Sequence, residues 1–325
     1  MLNSDTMKKY LLILLVSSTS LLASNKDSLQ SPRVFRALPL WESLKDDCDA
    51  CGCSASGGSM GFASMLNNNF VGLRYFYQSY RSNDGLYTNS PWYDETFNTV
   101  QVWSRIPLSP KIQVSALLPY HFHNRATATG KQSISGIGDV TVLGLYEIYQ
   151  TRNDSAKFSH KILLGAGVKA PLGKFDEANN GSVNPSYQLG TGSWDYLITA
   201  DYVIKRKRFG LNTMVNYILK TENQKNYRFG NQTNYAATFF YFHESSKFTL
   251  VPQLGVAGEI YESNSQHGQT VRNTAGNLLL SKIGFELGKN KFSLGANAMI
   301  PITQNLNAGN VEARYRWSIN LNYAL

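Results

Sequence analysis

Charge is scarce in this chain. Asp, Glu, Lys and Arg make up 16% of its 325 residues, against roughly a quarter in ordinary soluble domains. Cysteine is scarcer still: Cys48, Cys51 and Cys53 are the only three, and they share one short stretch. A disulfide framework spread over the fold is thereby excluded. Past the first 24 residues there is no long apolar run, and mean hydropathy is −0.27. The bulk of the chain therefore does not consist of transmembrane helices. A phosphate-binding loop and a His-Glu-x-x-His helix are both absent. Gly136-x-Gly138 runs on into strand, which leaves a dinucleotide site unsupported. Neither an enzyme nor a cofactor is expected.

What is present begins with an export signal. Met7-Lys8-Lys9 makes a basic start, residues 10–16 an apolar core and residues 17–24 a small-residue region. A signal peptide over 1–23 follows, with cleavage after Ala23, because the apolar core is too short for an anchor helix. The exported chain is expected in the cell outer membrane of a Gram-negative bacterium. Net charge is +9, which suits anionic lipid headgroups or anionic solutes. Lys and Arg are scattered among turns and strands, so nucleic acid is not an expected partner. Residues 24–67 read as an irregular periplasmic N-terminal segment. Its Gly- and Ser-rich run CDACGCSASGGSMGF carries the cysteines.

From residue 68 onward apolar and polar residues alternate. In WDYLITADYVI, Trp194, Tyr196, Ile198, Ala200, Tyr202 and Ile204 share one face, and Asp195, Thr199 and Asp201 share the other. Four basic residues, 205–208, lead into FGLNTMVNYIL, which alternates again. Side chains alternate across a strand, so this is a hairpin of two amphipathic strands. Each is about the 9–11 residues needed to cross a bilayer at a tilt. The pattern recurs to the end, where VEARYRWSINLNYAL sets Val311, Ala313, Tyr315 and Trp317 against Glu312, Arg314 and Arg316. Short connections alternate with longer polar ones at 81–95, 124–135, 173–187, 220–231 and 262–275. Short turns on one rim and long loops on the other are the signature of an outer-membrane barrel. The expected fold is all-β: a transmembrane antiparallel up-and-down β-barrel of about 12 strands over 68–325. A soluble barrel would invert the faces. Charged residues on the polar faces and aromatics at strand ends favour the membrane.

Several stretches carry a resemblance. GIGDVTVLGLYEIY at 136–149, GVKAPLGKF at 167–175 and YQLGTGSWDY at 187–196 resemble the outer-membrane transporter family named for the meta-cleavage pathway of phenol degradation. The Cys-Gly-Cys start, NFVGLRYFYQSYRS at 69–82 and QVSALLPY at 113–120 are similar to its Bacteroidetes-type members. The resemblance implies an outer-membrane barrel with a transport role and brings no site residues with it.

Candidate functional residues come from the alternation. Arg74 on the first strand and Arg314 and Arg316 on the last become neighbours when the barrel closes. Asp195 and Asp201 lie roughly opposite, with Lys161 and Lys169 on the strand beside them. Opposed basic and acidic walls would set a field across a narrow solute path. Alternatively these charges pair locally and fill the interior. Cys48, Cys51 and Cys53 can form a disulfide with one odd thiol, hold a soft metal or contact a partner. His121 and His123 share a face near a loop end and read as a wet rim. His243-Glu244-Ser245 has the His-x-Ser spacing of a barrel phospholipase, but it sits in a short turn. The expected function is passive passage of a small solute, hydrophobic or aromatic, by a monomer set in outer-membrane lipid and lipopolysaccharide. The alternatives are a structural or partner-binding barrel with a closed lumen and, less favoured, a barrel hydrolase.

Overall fold

The computed structural model describes residues 64–83, 90–151, 157–176 and 178–325. The expected signal peptide, most of the 24–67 segment, and Cys48, Cys51 and Cys53 lie outside the described residues. In chain order the strands are β1 (Phe70–Ser82), β2 (Tyr93–Ser109), β3 (Ile112–Thr127), β4 (Gly130–Ile137), β5 (Val140–Gln150), β6 (Ser159–Ala170), β7 (Asp195–Arg206), β8 (Phe209–Leu219), β9 (Tyr227–Arg228), β10 (Gln232–Tyr241), β11 (His243–Glu244), β12 (Thr249–Tyr261), β13 (Ser265–Gln266), β14 (Gln269–Thr270), β15 (Gly276–Lys289), β16 (Phe292–Leu306) and β17 (Val311–Ala324).

The wall is a closed antiparallel barrel. Neighbours follow one another around it, β1 pairs with β17 and β10 pairs with β12. β3 pairs through 120–127 with β4 and through 112–117 with β5, so β4 and β5 share one place. Counted so, twelve strands close the ring. Closure satisfies backbone groups that an open edge would leave bare in hydrocarbon. β9, β13 and β14 make a small separate sheet.

The alternation read in the sequence decides which face is which. In β8, Phe209, Leu211, Val215 and Leu219 are exposed, while Asn212, Met214, Asn216 and Ile218 are buried. Ile198 is 65% exposed and Asp195, three residues before it on β7, is 0% exposed. A water-soluble fold buries the first and exposes the second; this one does the reverse, as a lipid-facing wall must. Trp194, Phe209, Phe248 and Phe292 stand exposed at strand ends, the level of a membrane interface. At the closing seam the outward rings of Tyr77, Tyr315 and Trp317 stack at 5.5–5.8 Å. Cross-strand pairs of this kind contribute about 0.2–1 kcal/mol each. The short turns after β2, β5, β7 and β15 share one rim, which is the periplasmic one.

Two expectations change. Residues 124–135 are not a loop: they carry the β3–β4 pairing on to a tight turn between Thr127 and Gly130. Its outward residues Asn124, Lys131 and Ser133 are polar and exposed, and its inward Arg125 is a buried charge, so the hydrophobic period vanishes although the strand does not. Arg314 does not face the lumen. Ser79 pairs with Tyr315 and Tyr80 with Ala313, which leaves Arg314 as the extra residue of a bulge. A bulge exchanges the faces on either side of it. Val311 and Ala313 therefore point inward, and Arg314 is 52% exposed beside Asp94, at 3.3 Å.

Candidate functional site

The lumen is filled from both ends. At the periplasmic end residues 64–67 are buried inside the mouth. Ser64 Oγ and Met65 N each donate to the Glu286 carboxylate at 2.6 Å, and Ser293 Oγ donates at 2.7 Å. Asn67 N donates to Ser64 Oγ at 2.8 Å and closes the turn. A buried carboxylate needs such donors, and a buried turn needs an acceptor for its free N–H groups. Met65 and Leu66 wedge among Val203, Phe240, Phe242 and Val251. Gly288 makes the notch: a Cβ there would lie 2.7 Å from Leu66 Cδ1.

Five of the expected inward charges, Arg74, Lys169, Asp195, Asp201 and Arg316, are buried on the inner face. They do not form two opposed walls. Asp195 meets Lys169 Nζ at 2.5 Å, on the neighbouring strand, and Lys220 Nζ at 3.2 Å. Lys169 also reaches Asp139 at 3.2 Å. Asp201 accepts from Asn212 Nδ2 at 2.7 Å. Arg316 grips Glu259 with both nitrogens, at 2.6 and 3.0 Å, and also donates to the Tyr80 hydroxyl. The Arg74 guanidinium lies 3.5 Å over the Trp103 ring. Lys161 lies 3.8 Å from Glu147. Removal from water makes a bare charge costly, so each finds a counter-ion, a hydrogen-bond donor or a π face at close range. Lys220 lies just past β8, outside the spanning strands. Burial, and then the nearby Lys169 ammonium, push it down to about 8 against the pull of Asp195.

At the extracellular end the segment 171–194 leaves the wall after β6, folds inward and returns at β7. Asp139, in the break between β4 and β5, holds its two arms together. It accepts from Gly173 N at 3.0 Å, Thr191 N at 2.9 Å and Thr191 Oγ1 at 3.0 Å. The arms touch where Gly173 crosses Gly190. A Cβ on Gly190 would lie 2.4 Å from Asp139 Oδ1 and 2.6 Å from Gly173 Cα. Glu95 anchors the inner bend, accepting from Asn184 Nδ2 at 2.9 Å and from the hydroxyls of Ser82 and Ser182, with Arg125 at 3.3 Å. The stretches 136–149, 167–175 and 187–196 thus meet in one knot. Their Gly and Asp residues were visible in the sequence; that they meet was not.

Beneath this strap lies a cavity of about 120 Å³. Tyr80, Phe97, Phe229 and Tyr261 line it, and Gln78 and Lys220 reach into it. It extends to Asp139 and to 189–191, beside the outer edge of β4. β4 pairs with β3 alone, because β6 has ended at Ala170 and the strap has left the wall. Lower down, Leu117, Leu143, Leu145, Leu163, Leu197 and Ile218 form an inward-facing apolar cluster with Phe70 and Trp103.

The histidines are not at a wet rim. His121 and His123 are 1% and 3% exposed, with ring centroids 4.9 Å apart. His121 Nδ1 meets Thr99 Oγ1 at 2.8 Å, and His123 Nδ1 accepts from Asn98 N at 3.2 Å. The strands extend above them, and the strap, through Tyr187, covers them. Among the described residues no group of three His, Cys, Asp or Glu could hold a metal ion. His243, Glu244 and Ser245 are exposed in the turn before β12, where the Ser245 amide bonds the Phe248 carbonyl at 2.9 Å.

The fold is that of an outer-membrane channel from Pseudomonas putida F1 (TM-score 0.59, 13% identity, covering 83% of this chain and 99% of that one). Weaker matches include the NanC porin (TM-score 0.41, 13% identity, 78% and 100%) and the CymD monoaromatic hydrocarbon channel (TM-score 0.38, 9% identity, 80% and 89%). No curated protein matches the sequence. A family model described as "Putative MetA-pathway of phenol degradation" matches residues 89–317, from the start of β2 into β17 and through the whole strap. The chain belongs to that family.

Proposed function

We propose that the barrel passes a small apolar or aromatic solute passively across the outer membrane, through the cavity under the strap. The carrying observation is that this cavity reaches Asp139, two residues past the end of β4, a strand that pairs with β3 alone. Its volume of about 120 Å³ is close to the roughly 150 Å³ at which an apolar cavity takes up one benzene ring. Below it, the apolar cluster from Leu117 to Ile218 gives such a solute a surface that ions lack. The motifs at 69–82 and 113–120 support a place among Bacteroidetes-type members. The closed wall supports a monomer surrounded by lipid, with lipopolysaccharide at its upper rim.

The buried segment 64–67 supports a second reading, a barrel whose lumen stays closed. Planar-bilayer recording and solute uptake separate the two. The unaltered protein should conduct ions poorly, yet speed entry of a labelled monoaromatic into Gram-negative cells that lack it. Glu286→Ala removes the acceptor for Ser64 and Met65 and should raise ion conductance several-fold. Uptake no faster than in cells without the protein would leave only the closed barrel.

A further inference from the structure

The periplasmic rim carries cations on every turn. Lys111 follows β2, Lys157 precedes β6, and Arg206, Lys207 and Arg208 join β7 to β8. Lys247 precedes β12, and Lys289 and Lys291 flank the β15–β16 turn; all are exposed. Among the described residues of these turns the one acidic side chain is Glu244. The barrel interior needs none of these charges, because its own ions are paired inside the lumen.

Four of these five groups of cations sit directly on the aromatic girdle. Phe158, Phe209, Phe248 and Phe292 are exposed within two residues of a turn cation. Arg206 stands 5.4 Å from the Phe158 ring and Lys291 stands 5.5 Å from the Tyr323 ring. Aromatic rings of this kind mark the headgroup level of a bilayer, so the cations stand where lipid phosphates lie. They are also spread around the whole circumference, one group per turn. One compact protein partner meets one sector of such a collar, whereas the ring of lipid around a barrel meets all of it.

We infer that this basic collar binds the phosphodiester headgroups of anionic phospholipid in the periplasmic leaflet. The inference rests on the reading of the chain as an outer-membrane barrel. Lysines and arginines near an anionic surface are drawn to it over about one Debye length, roughly 10 Å at 0.1 M salt and 3 Å at 1 M. The collar would seat the barrel at a fixed depth and draw anionic lipid around it.

The test is the melting midpoint of the full-length protein in mild detergent, with phosphatidylglycerol or zwitterionic phosphatidylethanolamine added at equal mole fraction. Phosphatidylglycerol should raise the midpoint more, and 1 M salt should abolish the difference. Replacing Arg206, Lys207 and Arg208 with Gln should cut the difference by about a third. Adding K289Q and K291Q should cut it further, leaving the midpoint in phosphatidylethanolamine unchanged. A difference that survives salt or these substitutions overturns the inference. So does altered passage of an anionic solute with the lipid response intact, which would make the collar part of the solute path. Lipid carried through purification by the unaltered protein is a second readout. Phosphatidylglycerol enriched over the host membrane's ratio supports the collar, and the host ratio itself counts against it. A chain that enters no bilayer at all would overturn the barrel reading as well, and that failure shows separately.

Discussion

The side chains of Arg316 and Glu259 are both 0% exposed. Removing one partner of such a buried pair costs about 3–5 kcal/mol, while replacing both with apolar groups costs far less. Glu259→Ala should therefore lower the thermal midpoint strongly, and Glu259→Leu with Arg316→Met should recover most of the loss. Equal midpoints for the single and double variants would contradict this account. Lys220 gives a pH-dependent counterpart. Its folded pKa of about 8 lies below the ordinary 10.5. Between those values the unfolded chain binds the extra proton, so stability rises with pH; below about pH 8 the penalty is present in full. Lys220→Met should flatten the rise between pH 8 and 10.5 in midpoint measurements, and an unchanged slope would locate the effect elsewhere.

The strap at 171–194 is the element most dependent on small residues. Any side chain on Gly190 collides with the Gly173 backbone and with the carboxylate that holds both arms. Gly190→Val should release the strap without unfolding the barrel, because the wall keeps its own ladder of bonds. Limited proteolysis should then cut within 171–194 while the β-sheet signal in circular dichroism is retained. A cleavage pattern like that of the unaltered protein would show that the knot does not hold the strap. The strap also marks where the sequence pattern stops being readable. Each arm is short, glycine-rich and without period. The partners that fix it, Asp139 and Glu95, lie 34 and 89 residues from the groups they hold.

For the whole molecule the decisive quantity is which face meets lipid. Ile198 should stand near the middle of the lipid band, where a charge costs about 2–4 kcal/mol. Ile198→Arg should lower unfolding free energy by that amount in denaturant titrations of refolded protein. A cost well below about 1 kcal/mol would place Ile198 at the interface. The twelve-stranded wall, its inverted faces and its short-turn rim were legible from alternation and turn length, because strand period and bilayer thickness constrain every strand separately. Arg314 was misplaced because a single extra residue exchanges the faces, and periodicity carries no mark of it. The paired charges were expected on the correct strands for Lys169 and Asp195. The role of Glu259 as the partner of Arg316 depends on curvature that brings β12 and β17 together across the lumen.

The sequence by itself determined the class of fold, the lipid-facing band and the collar of basic turns, since these follow from residues a few positions apart. Only the tertiary structure decided how the lumen is filled. Residues 64–67 seat on Glu286, three motif stretches knot at Asp139, and β4 is left without a second strand neighbour. Those arrangements join groups far apart in the chain. Once buried, each polar group must be satisfied by whatever the closed wall places beside it.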